Sequence, residues 1–441
     1  MKKNQTSPAM YPCWYDGKYV NEVEFSRVYL KNHPMRFTNG VLYSLDGVPL
    51  DETLIRRKIT EMLQEVITTG LAKRSSSILD YIKLAAYAEA LPLDMEHIHV
   101  KNGIWSMDGS FDPTVTFCNN RLQVEYHADA SPPNRWLSFV HELLEDEDIL
   151  TLQEYMGYTL IPSTKAQKML IIIGKGGEGK SRIGQVLLAM IGNAMNVTSI
   201  QKVETNSFAR ADLEGKLLMV DDDMDMAALP STNHIKAMVT AEGRMDLERK
   251  GKQSYQDRMY CRFMCFSNGA LSALYDQSDG FYRRQLVLHA KERPADREDD
   301  PYLTEKLQAE LPGILLWCLE GLQRLVAHKY QFTISKKAAD EMATMRKEND
   351  NFLQFIESEG YFVFKPDTQA SSKLIYEAYV LFCEDNALKP LAARSFFSEL
   401  RQSEARLGIK YTNNIHLLDG KRVRGFIGIE VIRGAFMPPI K

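Results

Sequence analysis

The hydrophobic pattern changes period repeatedly along the chain. Largely apolar runs at 169–173, 215–220, 260–266 and 285–288 predict strands covered on both faces, because a strand with one wet face would alternate. Around them, apolar residues recur at helical spacing over 51–71, 76–90, 136–144, 152–158, 182–188 and 311–319. Asn39-Gly40, Asp46-Gly47, Asn102-Gly103 and Asp108-Gly109 punctuate two strand-forming segments and predict hairpins. Near the end, helical patterns at 371–383 and 392–401 precede a third hairpin pattern over 409–427, turning at Asp419-Gly420. Helix, helix, basic hairpin is the order of a winged helix-turn-helix. Gly157 and Pro162 close one helical pattern and read as a boundary into the segment that follows.

Composition narrows the class. The 441 residues have room for two or three domains. A net charge of -4 excludes a protein coated in positive charge, so any nucleic-acid affinity must come from local patches. Arg56, Arg57, Lys58, Lys73 and Arg74 read as a solvated face. The six cysteines are scattered, with no second pair or histidine cluster to complete a zinc site, and are expected to be reduced core residues. No signal peptide opens the chain and no apolar run approaches a membrane span, so a cytoplasmic protein of a bacterial host without membrane partners is expected.

The first buried-strand run ends in G-x-x-x-x-G-K-S at 174–181 and passes into a helical pattern, the context that this signature requires. Gly174, Gly176, Gly177 and Gly179 can turn successive amides round a polyphosphate, with a helix N-terminus directed at the same charge. Lys180 would reach the β and γ phosphates and Ser181 would ligate Mg²⁺. The 215–220 run ends in Asp221, Asp222 and Asp223, acids at the carboxyl end of a strand that can hold Mg²⁺ through water and polarise an attacking water. Two strand-like segments around Lys250-Gly251-Lys252 form a hairpin with a basic tip.

The order of these features resembles the superfamily III helicases of phage and plasmid primase-helicases. The likeness spans most of the chain: an Asn-Gly hairpin, a Trp- and Leu-rich helix, the 152–158 helix, the phosphate loop, and then four motifs between Gly174 and Arg284. It implies an α/β fold with an AAA+-like P-loop ATPase core, ATP as ligand and Mg²⁺ as cofactor. Gly174, Gly176, Gly177, Glu178, Gly179, Lys180, Ser181 and Arg182 would contact ATP, and Ser181 with Asp221, Asp222 and Asp223 would surround the metal. One alignment gives the catalytic roles to Asp221 and Asp222, another to Asp223; we favour Asp222 and Asp223 together. Asn268 matches the family's polar sensor. Arg284, with Arg283 in reserve, matches an arginine finger that one subunit supplies to its neighbour. Arg249, Lys250 and Lys252 match the basic channel hairpin. Gly251 stands where relatives often carry a histidine or an aromatic residue, which leaves phosphate contact as the expected grip.

The resemblance implies a homo-oligomer, generally a hexamer, moving 3′ to 5′ on single-stranded or forked DNA; a separate primase or another replication protein is a candidate further partner, which the sequence leaves open. The residues before Trp105 are too few for a primase domain, so no primer synthesis is expected. The expected domains are a small mixed region (1–98), a helix-rich approach (99–162), the ATPase (163–330), a linker (331–348) and a winged helix (349–441). From Arg394 onward nine basic and four acidic side chains reverse the chain's overall balance. Arg394, Arg401, Lys421, Arg422 and Arg424 are the candidate DNA contacts there, with protein docking as the other use of such a module. An origin-recognising initiator and a protein-remodelling ATPase are the alternative functions.

Overall fold

The computed structural model describes residues 11–89, 91, 93–225, 231–241, 243–249, 251, 253–268, 279–294, 298–349, 351–386, 388, 390–416 and 421–432. Among them the chain divides into two compact units, one ending at Ala338 and the other beginning at Ala339.

The first unit opens with α1 (Glu22–Asn32), a hairpin of β1 (Met35–Thr38) and β2 (Val41–Ser44), α2 (Glu52–Gln64) and α3 (Leu71–Ala85). Asn39 and Gly40 turn the hairpin with φ of 51° and 76°, the left-handed pair that matches strand twist. Asn21 and Asp51 cap α1 and α2 by accepting amide hydrogen bonds. The continuous helix expected over 51–71 stops at Gln64, and the next helix starts earlier than expected, at Leu71. Gly70, at φ 71°, breaks the path between them. Trp14, Phe25, Tyr29, Ile59, Leu63, Ile78 and Ile82 form the small core these elements share. Arg56 donates to Ala72 O, Arg57 pairs with Glu61, and Arg74 lies 3.9 Å from Glu22.

Next come a three-stranded antiparallel sheet of β3 (His97–Val100), β4 (Gly103–Ser106) and β5 (Phe111–Asp112), then α4 (Asn134–Leu143) and α5 (Asp146–Tyr158). The chain continues through β6 (Met169–Gly174), α6 (Ser181–Ile191), β7 (Met195–Val197), α7 (Ile200–Thr205), α8 (Ser207–Ala211), β8 (Leu218–Asp221) and α9 (Asn233–Val239). After these stand β9 (Arg244–Leu247), β10 (Tyr255–Arg258), β11 (Arg262–Asn268), α10 (Asp279–Tyr282), β12 (Gln285–His289), α11 (Leu303–Gln308) and α12 (Leu311–Ala327).

Five of the strands form one parallel sheet in the order β12-β6-β11-β8-β7. The residues of β6 and β11 short of their ends are buried, which is why β6 and the 263–266 stretch of β11 are apolar throughout, with Arg262 and Ser267 as buried polar residues of β11. The acidic strand β8 is not beside the glycine-loop strand β6. β11 lies between them and brings Asn268 opposite Gly174. Gly157 stands one residue before the end of α5, as expected, and an added Cβ there would stand 2.2 Å from Cys318 O of α12. At Gly321 of α12 an added Cβ would likewise stand 2.5 Å from Gln153 O, so these glycines let two buried helices pack backbone against backbone. Among the cysteines, Cys13 is exposed and the other five are buried; all are free.

The segment expected as a linker carries α13 (Lys336–Asn349). In the second unit follow α14 (Asn351–Glu357), β13 (Phe362–Ser371), α15 (Ser372–Asp385), α16 (Ala393–Gln402), α17 (Glu404–Leu407), β14 (Lys410–His416) and β15 (Arg422–Val431). Ser371 caps α15 by accepting from Leu374 N at 3.2 Å. The strands make an antiparallel sheet in the order β13-β15-β14. β13 has no counterpart in the sequence reading; its exposed, polar middle conceals it. Phe355, Tyr379, Phe396 and Phe426 centre this unit's core, with Tyr379 stacked on Phe396 at 4.4 Å. The Asp419-Gly420 turn lies outside the described residues.

Candidate functional site

β6 leaves the sheet at Gly174, and residues 175–180 lead into α6 at the carboxyl edge of the parallel strands, where open α/β sheets bind ligands. Gly176, Gly177 and Gly179 have φ of 106°, 84° and 105°, a region that L side chains rarely adopt. Gly174 is required for another reason. A Cβ there would stand 2.6 Å from Lys180 Nζ and 2.8 Å from Glu178 Cδ.

Lys180 is 6% exposed. Its Nζ donates to Glu178 Oε2 at 2.8 Å and to Asn268 Oδ1 at 3.0 Å. Glu178 is 3% exposed, and its carboxylate also accepts the amides of Lys175 and Gly176, the latter at 2.9 and 3.1 Å. Burial alone would raise the Glu178 carboxyl; hydrogen bonds from Lys180 and from loop amides outweigh it and hold the group below its usual range. The loop is thus a ring of donors closed round a carboxylate.

The acidic triplet is split by its surroundings. Asp221 is buried, with Oδ2 accepting Ile200 N at 2.7 Å and Oδ1 accepting Asp223 N at 3.3 Å, so it braces the turn and the start of α7. Burial raises its carboxyl despite those amides. Asp222 and Asp223 are exposed. Hydrogen bonds from Met224 N to Phe266 O (2.8 Å) and from Ser267 Oγ to Met224 O (3.0 Å) tie the turn to β11. Ser181 opens α6 and is half-buried. Among the described residues no group of three or more His, Cys, Asp or Glu is arranged to hold a metal.

Arg182, expected at the nucleotide, instead donates to Gln185 Oε1 at 3.0 Å and to Thr304 Oγ1 at 2.6 Å, linking α6 to α11. Arg283 and Arg284 lie at the opposite edge of the sheet. Gln285 pairs with Met169 in the β12–β6 register, so Arg284 stands level with the residue before β6 begins. At about 3.3 Å per residue it lies roughly 20 Å from Gly174, beyond the reach of one side chain. Arg283 is exposed, while Arg284 is half-buried, donates to Gly280 O and leaves its Nε buried without a partner. Burial and the neighbouring Arg283 both lower the Arg284 pKa.

Sequence reasoning missed Arg293. It follows β12, and its Nη1 would stand 3.6 Å from a Cβ added at Gly177, while its guanidinium pairs with Asp299 at 3.1 Å. Next to it, Glu292 pairs with Lys175, so the 291–294 segment lies against the glycine loop. Only the parallel pairing of β12 with β6 brings these residues together; an Arg beyond a buried strand is an unremarkable pattern by itself.

β9 and β10 form the expected hairpin, with Tyr255 opposite Leu247 and Arg258 opposite Arg244. Lys250 and Lys252 lie outside the described residues. Arg249, on the turn side of the Leu247–Tyr255 pair, donates to Glu214 Oε2 at 2.6 Å and to Tyr255 Oη at 2.8 Å. The nearby Glu214 carboxylate offsets part of the charge that Arg249, expected as a DNA contact, would present. In the second unit Arg394, Lys421, Arg422 and Arg424 are exposed. Arg401 is exposed as well, with its guanidinium over the Tyr411 ring at 3.8 Å.

Residues 172–284, from β6 to the arginine pair, match a family of unknown function (DUF5906). The fold is similar to the apo structure of the NrS-1 C-terminal region (305–718), with a TM-score of 0.51 at 10% identity over 92% of this chain and 99% of that one. A second, A-form apo structure of the same region gives 0.50 at 12% identity, over 92% and 99%. At such identities the likeness is one of fold. Among the described residues no helix is long and apolar enough to cross a membrane.

Proposed function

We propose that this chain is an ATP-hydrolysing DNA helicase of a phage, plasmid or other mobile element, a replicative motor that works as a ring of copies on single-stranded DNA, moving 3′ to 5′. One observation carries the reading. Lys180, Asn268 and the acidic turn converge at the carboxyl edge of the sheet, while Arg284 stands at the opposite edge, unable to reach its own chain's loop. In this reading Arg284 serves the loop of another copy, which puts the nucleotide between subunits, while Arg293 is the chain's own arginine beside the loop.

In this reading the 174–181 amides and Lys180 bind the β and γ phosphates, Asn268 orients the attacking water, and Asp222 with Asp223 polarises it. The donor set fits Mg²⁺, an ion held mainly by phosphate oxygens and water with one or two carboxylates. Ser181, Asp222 and Asp223 would hold it, and when bound it supplies charge neutralisation at the phosphates. The partner copy's finger would neutralise the transition state. Hydrolysis would then shift the subunit interface and move the β9–β10 hairpin, with Lys250 and Lys252, along the DNA backbone.

The test is ATP hydrolysis with and without single-stranded DNA for the wild type, Lys180→Ala and Lys250→Ala/Lys252→Ala. DNA stimulation lost only in the hairpin variant, with Lys180→Ala inactive, supports the motor. Hydrolysis indifferent to DNA in every active protein would sink it and favour a protein-remodelling ATPase. The exposed arginines of β15 favour a second reading, an origin-recognising initiator, which would show a strong preference for one duplex sequence.

A further inference from the structure

The carboxylate inside the glycine loop belongs to the loop itself. Glu178 takes the amides of Lys175 and Gly176 and the ammonium of Lys180, donors of the kind that a polyphosphate requires. We infer that Glu178 is a built-in competitor for the nucleotide's phosphates, so that nucleotide binds by displacing this side chain from Lys180. The inference rests on the nucleotide reading above and concerns the regulation of that site.

Three physical points support it. Lys180 Nζ is buried and two of its three N–H bonds already go to Glu178 Oε2 and Asn268 Oδ1, so a phosphate that reaches this ammonium meets the Glu178 carboxylate at the same nitrogen. Glu178 is the one it would drive out. A phosphate and a carboxylate sharing one buried ring of donors repel strongly at low dielectric, whereas the neutral Asn268 amide does not. Finally, the loop has no slack at its base. The Glu178 carboxyl carbon would lie 2.8 Å from a Cβ at Gly174, so the carboxylate sits close over the start of the loop that a phosphate would occupy.

The consequence is an affinity set by exchange. The apparent dissociation constant is the intrinsic one divided by the fraction of protein whose loop is not self-occupied. Removing the charge while keeping the shape should therefore tighten binding. If Glu178 merely held Lys180 in position, the same change would loosen it.

Calorimetric titration of the full-length wild type and Glu178→Gln with ADP, pyrophosphate and adenosine reads the difference. We expect Glu178→Gln to bind ADP and pyrophosphate on the order of tenfold more tightly, with adenosine unchanged because it brings no phosphate. Glu178→Asn, which is shorter and also uncharged, should show the same gain; melting temperatures without ligand check that both variants fold. Equal affinities in wild type and variants, or weaker binding in the variants, would overturn the inference and leave the nucleotide reading standing. No binding of ADP or pyrophosphate by any of the three folded proteins would remove that reading, and the inference with it.

Discussion

The glycine loop of the first unit and the basic edge of the second both present cations, in opposite states. Lys180 is 6% exposed and neutralised by Glu178, with Asn268 as its second acceptor. Arg394, Lys421, Arg422 and Arg424 stand in solvent. A buried, paired cation is pre-organised for one anion in one geometry, and its energetics resist salt. An exposed row binds any polyanion through counterion release and weakens as salt rises. Arg249 shows how the first state can arise where the second is expected: Glu214, brought up by the fold, converts a surface arginine into a hinge of the hairpin.

Breaking the buried side should have the larger effects. Arg284→Ala should lower kcat by about 10³ to 10⁵ while leaving ATP binding to isolated copies intact, since a finger acts on the transition state. Steady-state hydrolysis with a parallel nucleotide titration checks this. Lys180→Ala should cost roughly 10² to 10³ in kcat, as for other single donors aimed at developing charge. An effect below tenfold would mean that the loop is not the reacting centre.

The exposed side should respond through salt. Arg422→Ala/Arg424→Ala should reduce the slope of log affinity for single-stranded DNA against log salt by about 0.7 per lost phosphate contact, with ATP hydrolysis without DNA unchanged. Filter binding across a salt series gives the slope, and an unchanged slope would move the second unit to protein docking. The smallest effect expected is on stability alone. Gly321→Ala places a Cβ 2.5 Å from Gln153 O and should destabilise the first unit by about 1–3 kcal/mol, read as a lower melting temperature.

The strands that carry the site were legible because β6, β8 and β11 are wet on neither face, so apolar runs marked them without ambiguity. The glycine loop was legible because its chemistry is local: three positive φ values and a lysine within eight residues. What was not legible depends on distant partners. Asp221 could not be told from Asp222 and Asp223 until Ile200 N claimed its carboxylate. Arg182 turns away because Thr304, far along the chain, accepts its guanidinium. Arg293 reaches the loop only through the pairing of β12 with β6. β7, α7, α8 and α9 have three to seven residues each, too short for a period to register. The Glu178 carboxylate was expected at the nucleotide, but its occupation of the loop's donors follows from close approach at Gly174, which spacing does not encode.

The central claim is that one copy's loop and another copy's Arg284 make a single site. It is tested most directly by mixing two inactive proteins, Lys180→Ala and Arg284→Ala, and measuring ATP hydrolysis after subunit exchange. In mixed assemblies some interfaces join an intact loop from one variant to an intact arginine from the other. The account predicts that activity reappears on mixing. A mixture as inactive as its components, or Arg284→Ala alone hydrolysing ATP at the wild-type rate, would contradict it.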